Sequence, residues 1–324
     1  MCKSGLCERI RRRKCGYRKN YFIKHDSLTT RKKGLRYQAA CESRSNRDKA
    51  MPATYAHYQF GKLVFHALPK EIRTMIKENR EAYLLGLHGP DLVFYYRPVG
   101  KNPVNQLGVR MHKEPAIDFF EKGRQKYQER PSNVLLSYLC GFLCHFMLDS
   151  ECHPYINGYG KHYKLGHLEI ETDFDRFLME TEGRDPVRQN CTAHLCRDYD
   201  TEEAIASMFD GVTSRQIDQS IRGFRRCIRF FQCPCKGKTL FLKAVSRIVG
   251  QDKKLGGLIM DGVPKAACRK SNIYLRERLY GAVIPTAAVI EEYVYGIATG
   301  EALSPRLARD YEKAPGTEAQ GISF

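Results

Sequence analysis

Between residues 145 and 171 the chain carries five side chains that could bind a divalent ion: His145, Asp149, His153, His167 and Glu171. His145 and Asp149 stand four apart, as do His167 and Glu171, and residues four apart on a helix project from the same face. Imidazole nitrogen together with carboxylate oxygen suits Zn²⁺, and a glutamate can chelate through both oxygens. The first pair falls in Leu139–Asp149, a run that is otherwise almost wholly apolar. An ionised group taken out of water without a partner costs several kcal/mol. Taken alone, then, His145 and Asp149 are either a hydrogen-bonded pair inside a core or two ligands of one ion. The three ligand residues that follow favour the ion. Upstream, Asp91 in Gly89-Pro90-Asp91, His112 and His57 are single candidates. His57 and His112 each open a predicted helix, where a lone histidine also serves as a cap or a surface residue.

The elements that must position these residues are helical. Apolar residues recur at i, i+3, i+4 and i+7 in His57–Leu68, where Phe60, Leu63, Val64 and Ala67 share a face. Glu71–Leu87, Glu114–Gln128, Gly166–Glu180, Thr201–Phe209, Ser214–Phe231, Thr239–Val249 and Ile273–Ile297 continue the series. Ser132 caps Val134–Leu148, which is apolar nearly all round and so is predicted to be a buried helix. It is predicted to end near Leu148, with His153 just beyond and a Gly/Tyr-rich loop leading to His167. Strand-like alternation is scarce and no internal repeat is present. The pattern predicts an all-α fold with one multi-helix domain over 51–303, a basic extension at 1–50 and a frayed tail at 304–324.

The order Ala56-His57, Gly89-Pro90-Asp91, His112, His145-Phe-Met-Leu-Asp149, His153, His167-Leu-Glu-Ile-Glu171 resembles the zinc-dependent phospholipases C, which include bacterial phosphatidylcholine-preferring enzymes and clostridial alpha-toxin. The resemblance implies a domain of the zinc-dependent phospholipase C and nuclease type, holding two to three zinc ions. It implies that Asp91, His112, His145 and Asp149 hold one zinc, and that Asp149 bridges to a second held by His57. His153, His167 and Glu171 would hold the third. Such ions clamp phosphate oxygens and lower the pKa of a bound water, and Asp91 would orient or deprotonate that water. Tyr95 and Tyr96, close behind Asp91, are candidate substrate contacts, with core packing as the plain alternative. In family members of known structure an N-terminal Trp completes the site at the equivalent of His57 through its α-amine and carbonyl. This chain has no Trp, and a start at Met51 would put the amine of Met51 or Pro52 a few residues ahead of His57.

Three functions fit these residues. The first is phospholipase C-like cleavage of a phosphoester, with phospholipid as substrate and a transient membrane-surface contact. The second is a zinc-dependent nuclease, in which Phe94-Tyr95-Tyr96 would stack bases. The third is a metal-binding protein without activity. No obligate protein partner is implied. The formal net charge of +18 is concentrated at the start: residues 1–50 hold 16 Lys/Arg against 4 Asp/Glu, leaving 38 against 32 for the rest. The remainder is mildly basic, which suits an anionic substrate without requiring a polyanion. Neither a secretory signal core nor a run near membrane-span length stands out, and with thirteen cysteines this predicts a reduced, cytoplasmic protein. Cys233-Pro-Cys235 is too tightly spaced for a zinc knuckle and reads as a loop with two thiols. His88 and His162 are candidates to support ligand residues, though surface or packing roles fit them better, as they do His66 and His194.

Overall fold

An apolar helix without a polar face must be surrounded, and the central helix of this protein is. The computed structural model describes residues 54–250 and 255–312. Its α-helices are α1 (Thr54–Ala67), α2 (Lys70–Glu78), α3 (Arg80–Gly86), α4 (Pro103–Met111), α5 (Ala116–Glu129), α6 (Asn133–Tyr163), α7 (His167–Thr181), α8 (Tyr199–Met208), α9 (Ser214–Phe231), α10 (Lys236–Ile248) and α11 (Arg269–Thr299). Short 3-10 segments lie at Gly89–Tyr95, Gly256–Leu258, Ala266–Cys268 and Pro305–Ala308. No β-strand occurs among the described residues, where the one strand-like feature is an isolated bridge between Gln232 and Met260. The fold is all-α, as the periodicity predicts. The basic extension at 1–50 and the amine of Met51 lie outside the described residues.

Helix α6 is the axis of the bundle, with α1, α3, α5, α7, α8 and α11 packed around it. Ser132 caps it, its hydroxyl accepting from the Leu135 amide at 3.3 Å. The helix is long and apolar enough to cross a membrane, but 89% of that stretch is buried among its neighbours. It runs far beyond Leu148. Pro154 removes one rung of the helix ladder without ending it, and the chain continues helical to Tyr163. The predicted Gly/Tyr-rich loop is therefore helix. Lys164 closes it in the left-handed region (φ 57°), and Gly160 lets the turn pass close, since a Cβ there would stand 3.0 Å from the Leu165 carbonyl oxygen.

Other differences have local causes. The predicted helix Glu71–Leu87 is broken at Asn79, whose side-chain amide donates to the Met75 carbonyl at 2.8 Å. His112 closes α4 rather than opening a helix, and α4 itself went unpredicted because its apolar positions are few. It forms on its cap: Asn102 and Asn105 make a reciprocal box, with Pro103 at the first turn. The tail predicted to fray from 304 is ordered through residue 312. Leu307 and Tyr311 are buried there, the Ala116 amide donates to the Arg309 carbonyl at 3.0 Å, and the Arg309 guanidinium meets Glu151 at 3.2 Å. The nine cysteines among the described residues are free thiols.

Helices α3 and α6 touch backbone to backbone. A Cβ on Gly141 would lie 2.1 Å from the Tyr83 carbonyl oxygen, and one on Gly86 would lie 2.3 Å from that of Tyr138. Neither carbonyl is a flexible group that can swing aside. Gly141→Ala should therefore lower stability by about 2–3 kcal/mol, the scale of core overpacking. Chemical denaturation checks this, and a loss below about 0.5 kcal/mol would mean the helices separate freely.

Candidate metal centre

Extending α6 changes the arithmetic of the site. His145, Asp149 and His153 stand at i, i+4 and i+8 of one helix, so a single stripe about 12 Å long presents all three. Helix α7 returns beside it and brings His167 and Glu171. Helix α1 supplies His57 from its first turn. The 3-10 segment supplies Asp91, and the end of α4 supplies His112.

These side chains converge in two groups whose ligand atoms lie within 4.8 Å of one another: Asp91, His112, His145 and Asp149; and His153, His167 and Glu171. Asp149 joins them. Its Oδ2 lies 3.0 Å from His145 Nε2 and 3.9 Å from His112 Nε2. Its Oδ1 lies 3.1 Å from His57 Nε2 and 3.3 Å from His153 Nε2. Asp91 stands 3.1 Å from His112 Nε2 and 3.6 Å from His145 Nε2. Glu171 stands 3.2 Å from His167 Nε2 and 3.5 Å from His153 Nε2. His57 belongs to neither group. It meets Asp149 and stacks on the His145 ring, centroids 4.4 Å apart.

The residues fit a metal. Two ligands on one tetrahedral zinc, each roughly 2.0–2.2 Å from it, stand about 3.3–3.6 Å apart, and the contacts here span 3.0 to 3.9 Å. Hydrogen bonds alone do not account for the arrangement. His145 Nε2, His167 Nε2 and Asp91 Oδ1 are buried without a hydrogen bond although oppositely charged partners lie within 3.0–3.2 Å. Atoms aimed at a shared third point behave in this way. Two imidazoles are also oriented from behind, as metal-bound histidines are. His112 Nδ1 bonds the Gly108 carbonyl at 2.7 Å, and His167 Nδ1 bonds Asn157 Oδ1 at 2.9 Å, leaving each Nε2 to face the centre.

The electrostatics agree. Burial opposes ionisation of Asp149, yet His145, His153 and His57 hold its carboxyl well below the usual range. Burial likewise opposes ionisation of Glu171, but His167 and His153 bring it down to about 2. Burial would depress His153, and Asp149 and Glu171 outweigh it, raising the imidazole to about 10.

Several supporting residues carry no sequence signal. Asp175 caps α1 from α7, accepting the Tyr55 amide on Oδ2 at 2.9 Å and the Ala56 amide on Oδ1 at 2.8 Å, and so fixes where His57 enters. Gly89, at φ +46°, lets the Asp91 segment lie on the His145 ring, since a Cβ there would stand 2.2 Å from His145 Cδ2. Tyr311 packs its ring 4.9 Å from that of His112 and 6.0 Å from that of His145. His88 sits behind the Asp91 segment, its Nε2 2.8 Å from His194 Nε2, and stays neutral by burial. Only Asp175 follows a readable rule, lying four residues beyond Glu171 on the same face. His162 and His66 stand apart from the centre and are exposed. Tyr95 and Tyr96, the candidate substrate contacts, both lie buried in the fold. Tyr95 is buried and stacked on Phe224 with centroids 4.0 Å apart, and Tyr96 is buried beside it. Of that run Phe94 reaches the centre, stacked on His112 at 5.4 Å.

A helical bundle whose central helix gathers imidazoles and carboxylates into two joined groups, each able to hold a metal ion, defines a class, the helical metal-binding proteins. The chain belongs to the zinc-dependent phospholipase C family: residues 56–222, which include every ligand residue named above, match the family described as zinc dependent phospholipase C. No curated protein and no solved structure matches the chain.

Metal binding needs neutral imidazole, so a ligand that holds its proton to about pH 10 must give it up. Zinc uptake near neutral pH should therefore release protons, and affinity should rise with pH. In metal-free protein the stability from His153 is fully present below pH 6.5 and is lost as pH rises through about 10. That from Glu171 is present above pH 4.5 and is lost as pH falls through about 2. Calorimetric zinc titrations in buffers of different ionisation enthalpy measure the release. A heat independent of the buffer would contradict it.

Proposed function

We propose that the chain is a phosphoester hydrolase of the phospholipase C type, cleaving a phosphodiester with phospholipid as the substrate class, and that two to three zinc ions serve it. The observation that carries this reading is Asp149. Each of its oxygens faces imidazoles of a different set, Oδ2 toward His145 and His112, Oδ1 toward His57 and His153. Under this reading Asp91, His112, His145 and Asp149 hold one ion, and His153, His167 and Glu171 another. His57 with Asp149 forms the incomplete third position. Zinc bound there supplies a Lewis acid for phosphate oxygens and for water.

The chain's own residues do the remaining work. Asp91 takes the proton of the attacking water, the role of a general base. It is held for this by the 3-10 segment, whose path over His145 depends on Gly89. His167 keeps 19% of its side chain in solvent, so the second group can meet an anionic substrate. The burial of Tyr95 and Tyr96 weighs against the nuclease alternative, because stacking bases requires open ring faces. Catalysis inside the reducing cytoplasm is part of the proposal, motivated by the thiol-rich composition.

Two substitutions separate the roles. Asp149→Asn keeps the shape and removes the charge between the groups, so zinc content, melting temperature and turnover should fall together. Asp91→Asn should lower turnover by roughly a hundredfold or more while most zinc stays bound. Metal analysis and hydrolysis of a choline phosphodiester, run beside single-stranded DNA, test both. Full zinc content in Asp149→Asn would remove the bridging role. Undiminished turnover in Asp91→Asn would remove the base, and faster cleavage of DNA would transfer the reading to a nuclease.

A further inference from the structure

Helices α9 and α10 carry a surface that the metal centre does not use. From Gln219 to Gln251 the chain holds eight Lys and Arg and no Asp or Glu. Among these cations stand large apolar side chains in water: Ile248 is 85% exposed, Leu240 68% and Phe241 64%, with Phe230 and Val249 each 54% exposed. Along α10 the buried residues are Leu242 and Ser246. Leu242 packs into a small cluster with Cys233, Ile259 and Phe231. Placed at 100° per residue, Leu240, Ala244, Ile248, Phe241 and Val245 sweep an arc of about 140° facing away from that cluster. Lys236, Lys243 and Arg247 form a strip along one side of the arc, with the Lys243 ammonium paired to Asp261 at 2.9 Å. The end of α9 adds Arg225, Arg226, Arg229 and Phe230, and Lys238 ties the two helices together. Its ammonium donates to the Gln232 carbonyl at 2.7 Å and lies 5.7 Å from the Phe230 ring centre.

Cations flanking an exposed apolar arc on a surface helix are the chemistry of interfacial membrane binding: apolar side chains enter the headgroup boundary while Lys and Arg meet anionic lipid. We propose that α10, with the end of α9, docks the protein on the surface of an anionic bilayer. Charge complementarity selects this occupant. A second copy of the same face would set like charges against one another, with Arg222 and Lys243 met by acids of their own copy, Asp218 and Asp261. A nucleic acid would satisfy the cations but leave Leu240, Phe241 and Ile248 in water. The docking face also connects to the metal centre. Ile259 carries α10 through Leu242, and two residues earlier Gly257 lies against Leu168 and the Glu169 amide, beside His167. The docking stands independently of whether the centre cleaves phospholipid.

Zinc-loaded full-length protein, sedimented with vesicles, tests it. Wild type should pellet with vesicles of phosphatidylcholine plus phosphatidylserine, bind pure phosphatidylcholine about tenfold or more weakly, and release as salt is raised. Phe241→Ser with Ile248→Ser, and separately Arg225→Glu with Arg226→Glu, should each weaken binding about tenfold or more. Melting temperature and turnover of a soluble phosphodiester should stay unchanged in both. Wild type left in the supernatant with both vesicle types overturns the proposal. So does undiminished binding by the apolar variant, or a wild-type dimer in light scattering that the same apolar substitutions dissolve. If one variant fails to fold the other decides the matter, because the sixteen Lys and Arg of residues 1–50 would by themselves give wild type a salt-sensitive attraction to anionic lipid.

Discussion

An ionised carboxylate held inside a helix that is packed on every side has few physical solutions, and Asp149 is in that position. Its side chain is 4% exposed and its helix is otherwise apolar for several turns. Removing one such ion from water costs several kcal/mol, more than a few ordinary hydrogen bonds return. The protein meets this by bringing four imidazoles to the two oxygens, from α1, α4 and two turns of α6 itself. Those imidazoles then need a reason to converge at 3–4 Å without mutual repulsion. A divalent ion would supply it, since it would let each nitrogen stay neutral and turn contact into coordination. Much of the bundle follows from that demand. α3 must press against α6 through facing glycines so that the chain leaving it at Gly86 delivers Asp91, and Asp175 must fix the start of α1 so that His57 arrives at the right depth.

How much of this could be read beforehand depended on how local the determinant was. The pairs His145–Asp149 and His167–Glu171 were legible because helical spacing is a property of neighbouring residues. So was the all-α class, since most helices bury one clear stripe. The true end of α6 was not legible. Pro154, Gly158 and Gly160 all signal a break, but a helix packed on all sides keeps its form through one missing rung when tertiary contacts hold both halves. This error mattered, because it hid His153 as the third member of the stripe. Helix α4 was missed for the opposite reason: a polar cap builds it and few apolar residues mark it.

The placement of Tyr95 and of Tyr311 was not legible in the sequence, for a shared reason. A sequence position next to a ligand residue does not show which way the chain turns. In the 3-10 segment consecutive side chains point about 120° apart, so Asp91 and Phe94 face the centre while Tyr95 faces α9 and stacks on Phe224. Tyr311 lies 140 residues beyond Glu171 in a stretch without periodicity. It is held because Arg309 and Arg306 both reach Glu151 on α6, and that tether lays the following residues over His112.

The two ligand groups differ in their access to solvent, and this difference bears on the direction from which a substrate can come. Side chains of Asp91, His112, His145 and Asp149 are 0–7% exposed, and Tyr311 lies against the histidine rings of that group. In the second group Glu171 and His153 are equally enclosed, but His167 is 19% exposed and its partner Asn157 lies at the surface. A phosphoester anion approaching from water would therefore meet His167 first, where the positive ends of the α7 backbone dipoles also lie, since His167 is the first residue of that helix. The enclosed group, with Asp91, would be reached last. That order would suit the hydrolysis proposed above: the anion would be captured where water still has access, and Asp91, as the proposed base, would stay where little water competes for its proton.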